Sequence, residues 1–209
     1  MRPVTERKNS VSTPTRRRLT AEERRTALLD AALSAFSARG YHNTSLDDVA
    51  REAGVSKALI YEHFASKQEL YADLIARNAR ELTQRVAGAL SGVEVESTSK
   101  RLATGLEAFF AFVEERRDGW VVLHRDGPAG AAAAGRLREL RARLAATIAQ
   151  LLAREPGERE EALAHAIVGA GEALATYWVE HPSIPAEVVA SELVELVWPG
   201  LERLAGARV

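Results

Sequence analysis

The sequence has no cysteine, which excludes disulfide frameworks, thiolate metal sites and cysteine nucleophiles together and suits a reducing cytoplasm. Net charge is nearly absent too. Against 29 Asp and Glu stand 28 Lys and Arg, a formal −1, so no global field attracts an anionic partner and any nucleic-acid surface has to be local. No run of about 18 apolar residues occurs, so no membrane span is expected. The opening MRPVTERKNSVSTPTRRRLTAEER has no apolar core region and is not expected to act as a secretory signal. Strand-like alternation of apolar and polar residues is missing. There is no Glu-x-x-His motif, which argues against a di-iron helical bundle. GAGEAL lacks a third glycine and lies within a helical pattern, so it is no nucleotide fingerprint. The five histidines are scattered, and Glu161 with His165 reads as a surface i,i+4 contact. No cofactor, no metal and no enzymatic activity are expected.

What is present is ordinary for a soluble globular protein: 46% apolar and 27% charged residues. A chain of 209 residues can form one large domain or two small ones sharing a core. Residues 1–18 carry six basic residues and one acid, a local +5 with prolines and hydroxyls, and read as a disordered basic arm. Beyond it, helical periodicity dominates and predicts an all-α chain of about nine helices. Hydroxyl–acid pairs at i,i+3 mark three starts: Thr20 with Glu23, Ser45 with Asp48, and Ser66 with Glu69. The first helix should bury Leu28, Leu29, Ala32 and Phe36 and close at Gly40. A long helix from Ser66 presents Leu70, Leu74, Asn78, Leu82 and Val86 at a spacing of four. Ser91 to Ser99 reads as a loop, RRDGW as a break, and Pro199 as the end or kink of the last helix.

The most informative stretch is DDVAREAGVSKALIYEHF, laid out as helix, tight turn and helix. Gly54 gives the turn its permissive backbone, Val55 fills the angle between the helices, and Ser56 can cap the second. Val55, Ile60 and Phe64 should face inward, leaving Lys57, Ala58, Leu59, Tyr61 and His63 outward. Such a face suits a helix entering a major groove. Lys57 can reach a base edge or a phosphate, Ala58 permits close approach, and Leu59 can touch a thymine methyl group. Tyr61, His63 and Lys67 suit phosphate oxygens, and Thr44 and Ser45 at a helix start can hold another.

Residues 20–70, above all TSLDDVAREAGVSKALIYEHFASKQEL, resemble the N-terminal domain of the tetracycline-repressor (TetR) family of bacterial transcription regulators. The matching positions are Gly40, Thr44, Ala50, Gly54, Val55, Ser56, Tyr61, Phe64, Ser66, Lys67 and Leu70. Ala58 stands where many members have glycine, and Leu59 where several have a small polar residue. The resemblance implies a three-helix DNA-binding domain at 19–67, joined through the fourth helix to a larger effector-binding and dimerisation domain at 68–209. It also implies operator DNA and a small-molecule effector as partners, homodimerisation through the last two helices, and a cytoplasmic regulator, most often a repressor. Gly169, Ala170, Gly171 and Ala173 would permit close helix approach in such a dimer. Phe109, Phe110, Phe112, Trp120 and Trp178 concentrate aromatic surface after residue 70. With His124, Arg125 and Glu172 as polar fixtures, they are the candidate site for a hydrophobic or lipid-like effector.

Overall fold

The computed structural model describes residues 20–93, 95–125 and 130–206, so the basic arm, residues 1–18, lies outside the described residues. Those residues form nine helices and no strand: α1 Ala21–Arg39, α2 Leu46–Glu52, α3 Lys57–His63, α4 Lys67–Ser91, α5 Thr98–Glu115, α6 Arg117–Arg125, α7 Ala131–Leu152, α8 Glu158–Glu180 and α9 Ala186–Gly206. The all-α architecture agrees with the periodicity. None of these helices is long and apolar enough to cross a membrane.

Caps set the starts. Thr20 and Glu23 close a reciprocal box, as do Ser45 and Asp48. At α4 the Ser66 hydroxyl accepts from the Glu69 amide, while the Glu69 carboxylate reaches past it to the amide of Ala65 at 2.8 Å. Gly40 ends α1 at φ 79° and ψ 159°, a region essentially confined to glycine that costs other residues on the order of 1–3 kcal/mol.

Two boundaries differ from expectation and one agrees with it. The loop between α4 and α5 covers only 92–97, because α4 continues to Ser91 and Ser97 caps α5. RRDGW does break the helix: the interruption falls at its first residue, Arg116, and Gly119 lies inside α6. A Cβ there would sit 3.1 Å from the Asn78 amide nitrogen, so the glycine serves close packing of α6 on α4. Pro199 lies within α9, which continues to Gly206. The packing of α9 along α5, through buried Val189, Ala190 and Leu193, holds the helix despite the missing amide.

Two large hydrophobic clusters organise the described residues, beside a small third of Ala145, Ala149, Ala164 and Val168 between α7 and α8. The first joins α1, α2 and α3 to the start of α4, with Phe36, Ile60, Phe64 and Tyr71 almost wholly buried. Phe36, Tyr41 and Tyr71 pack ring to ring at centroid distances of 4.8–5.7 Å. The second gathers α4 from Leu82 onward with α5, α7, α8 and α9. Helix α4, 25 residues and so about 37 Å long, contributes to both. Arg25 with Asp73, and Arg77 with Asp30 at 2.7 Å, tie α4 to α1. The buried Tyr71 hydroxyl donates to the Val122 carbonyl of α6 at 3.0 Å.

Candidate functional site

Helix α2 ends through Ala53 and Gly54, the latter at φ 66°. The amide of Val55 then donates back to the Ala50 carbonyl at 2.9 Å, and the Ser56 hydroxyl accepts from the Leu59 amide to start α3. Burying Ile60 and Phe64 fixes how α3 is rolled. Lys57, Ala58 and Tyr61 are thereby exposed, with Leu59 and His63 half-buried at the edges. Lys57 Nζ lies 2.7 Å from Asp47 Oδ2 and 5.8 Å from the centre of the Tyr61 ring. The hydrogen bond to Asp47, then its charge, holds the Lys57 pKa above the ordinary 10.5. Asp48 is pulled down to about 2, first by the Ser45 hydroxyl and amide and then by Arg51, so the α2 cap is anionic at neutral pH.

Beside α3 lies an open groove of about 470 Å³ that brings together Ser45, Tyr61 and Lys67 with His42, Asn43 and Ser66. Thr44 departs from the expected phosphate contact. It is only 2% exposed, and its hydroxyl points at the carbonyls of Gly40 (2.8 Å) and Ala35 (3.3 Å), closing the turn after α1. The Ser45 hydroxyl donates to Asp48 at 2.6 Å. Lys67 is half-buried, 4.3 Å from the Tyr41 ring centre, and donates to the Tyr41 and His42 carbonyls at 2.9 and 3.5 Å. It therefore anchors the loop that the groove opens on. Arg25 was not among the expected residues. Its guanidinium covers the Phe64 ring at 4.4 Å and donates to the His63 carbonyl at 3.0 Å, clamping the end of α3 to α1. That partner is 38 residues away in sequence, and no local pattern announces it.

The expected effector residues divide into three groups. Phe109 and Glu172 line a cavity of about 50 Å³ with Leu144, Ile148, Thr147 and other apolar residues of α4, α5, α7 and α8. Phe112 and Trp120 line a second of about 20 Å³, beside Asn78. Phe110 and Trp178 line neither; they pack on each other at 6.0 Å, and the Trp178 indole donates to the Ile184 carbonyl. Glu172 is held by Arg141 Nε at 2.8 and 3.0 Å from its two oxygens. His124 stacks on Trp120 at 4.2 Å and donates from Nδ1 to the Trp120 carbonyl at 3.0 Å. Its Nε2 is buried without a partner among the described residues. Burial pushes the His124 pKa below the usual 6.5, opposed by the Trp120 carbonyl and Glu172 and assisted by Arg141. The Arg125 side chain lies outside the described residues. Asn78 had a sequence signal: it is the one polar member of an apolar stripe.

Comparison with known proteins follows the same division. The family model for bacterial regulatory proteins of the tetR family matches residues 28–74, and that for the tetracyclin repressor-like C-terminal domain matches 98–200. The HTH-type transcriptional activator FasR of Mycolicibacterium smegmatis is 31% identical over 192 residues, covering 90% of this chain and 87% of that protein. A TetR-like transcriptional regulator from Rhodococcus sp. RHA1 is 37% identical with a TM-score of 0.74, covering 88% of this chain and 99% of that one. The transcriptional regulator FadR from Bacillus subtilis, solved in complex with stearoyl-CoA, shares the fold at a TM-score of 0.72 and 18% identity, over 82% of this chain and 96% of its own. Helix-turn-helix geometry, both family matches and near full-length relatives agree: this chain belongs to the TetR family and is a DNA-binding transcriptional regulator.

Proposed function

We propose that the chain acts as a cytoplasmic homodimer, without enzymatic activity, whose hold on its operator is relieved by a small hydrophobic or lipid-like effector. Residues 19–67 serve as the DNA-binding unit and 68–209 as the effector-binding and dimerising unit. Lys57, Ala58 and Leu59 approach the bases, while Ser45, Ser56, Tyr61, His63 and Lys67 position the duplex. The observation that carries the effector reading is the pair of apolar cavities between α4, α5 and α7. They run beside α4 from Ile75 to Leu90, about 22 Å of helix, and so suit a long thin apolar molecule. As found they hold only a few waters' worth of space, so an effector has to part these helices. Because α4 contributes to both clusters, parting them moves the reading heads. Dimerisation is supported by the outer faces of the last two helices, where Tyr177 and Leu196 are 62% and 77% exposed. Ala162, Ala166, Gly169 and Ala173 leave the α8 face exposed and shallow.

A gel shift on the chain's own upstream DNA tests the reading. Binding should fall steeply with salt as counterions are released. Lys57→Ala and Tyr61→Ala should each weaken it, and salt-independent binding would contradict it. We expect repression. Activation is the second reading, favoured by the activator name of the FasR relative. A reporter fused to the bound promoter separates the two: expression rises on deleting the regulator if it represses and falls if it activates.

A further inference from the structure

One seam, the contact of α4 with α7, carries both an interior cavity and a surface groove. The groove, about 110 Å³, sets Arg80 and Thr83 of α4 against Arg136, Glu139 and Arg143 of α7. Arg143 is 2.7 Å and Arg136 3.5 Å from Glu139, while Arg80 makes no ion pair with a described residue. Three guanidiniums around one carboxylate leave a formal +2. Pairs along α7 alone would be an ordinary solvated helix face. Arg80 comes from the neighbouring helix and adds a third guanidinium to the groove, and arginine is the side chain suited to bidentate binding of phosphate oxygens.

What lies beneath the groove points to a ligand. Ala79 and Leu140 border both the groove and the smaller interior cavity, so these two residues stand between them. Next to them Asn78 lines that cavity, 7% exposed, and its amide makes no hydrogen bond to a described residue. Buried amides are normally paired; one left open on a cavity wall is a fixture for a polar group brought in from outside.

We propose that the Arg80, Arg136 and Arg143 groove seats the phosphate-class head of an amphiphilic ligand. Its chain passes between Ala79 and Leu140, its polar linkage meets the Asn78 amide, and its tail fills the apolar cavities. This rests on the hydrophobic-effector reading above and adds the head, its seat and the point of entry.

Calorimetric titration of the full-length protein with dodecyl phosphate, dodecanol and inorganic phosphate tests it, with both amphiphiles below their aggregation limits. Dodecyl phosphate should bind roughly tenfold or more tighter than dodecanol, the worth of one charge-assisted hydrogen bond. The exposed triple change Arg80→Gln, Arg136→Gln and Arg143→Gln should erase that preference and leave dodecanol binding unchanged. Equal binding of the two amphiphiles, or a preference that survives the triple change, would overturn the seat while leaving an apolar effector in place. Inorganic phosphate binding as tightly as dodecyl phosphate would overturn the amphiphile and make the groove a free-anion site. If neither amphiphile binds, the hydrophobic-effector reading fails first and the seat falls with it.

Discussion

Lys57 and Asp47 lie 2.7 Å apart at the starts of α3 and α2, and an exposed pair of this kind adds little to stability because water screens it. Its effect belongs to recognition, since the ammonium has to leave a carboxylate in order to meet DNA. Asp47→Asn should therefore tighten operator binding roughly two- to fivefold at low salt, and Lys57→Ala should lower the salt slope by about one; fluorescence anisotropy at several salt concentrations measures both. His124 makes a separate prediction. Its folded pKa lies below the unfolded 6.5, so the unfolded chain binds the proton more readily. The stability this residue contributes is present above pH 6.5 and is lost as acid protonates it. Urea unfolding at pH 7.5 and 5.5 should show stability falling toward acid, and His124→Gln should flatten that fall. The outward set of α3 was legible because two apolar residues, Ile60 and Phe64, determine which side is in. The inward turn of Thr44 was not legible, because a hydroxyl beside a helix start looks the same in sequence whether it faces solvent or the carbonyls of the previous turn.

Among the helices, α4 does most to join the two clusters, and its contacts with α6 are specific. The Tyr71 hydroxyl reaches Val122, and Gly119 lets α6 approach Asn78. Tyr71→Phe removes one buried hydrogen bond and should cost about 1–2 kcal/mol in chemical unfolding. It should also reduce the factor by which effector changes operator affinity; an unchanged factor would exclude this contact from the coupling. Element order was legible because caps and apolar stripes are local signals. Pro199 does not end α9, because propensity is weaker than packing. Gly119 is retained by its contact with Asn78, and α9 is carried across Pro199 by its contact with α5. The arginine groove was not legible at all, since Arg80 and Arg143 are brought together only by the α4–α7 contact.

For the whole molecule, reading an operator with two half-sites needs two copies of α3 about one duplex turn apart, roughly 34 Å. Leu196, exposed on α9, is the side chain to challenge. Leu196→Glu should shift sedimentation from dimer to monomer and abolish cooperative operator binding without loss of helicity, whereas a variant that stays dimeric would move the interface elsewhere. Filling the apolar cavities should change the separation of the two recognition helices, with a coupling of about 1–3 kcal/mol. Because the chain has no native cysteine, Glu62→Cys on exposed α3 gives a single clean attachment for a spin label. Pulsed electron resonance across the dimer should then give one narrow distance distribution with operator DNA and a displaced one with dodecyl phosphate. The same distribution in both states would mean that the effector does not move the recognition helices.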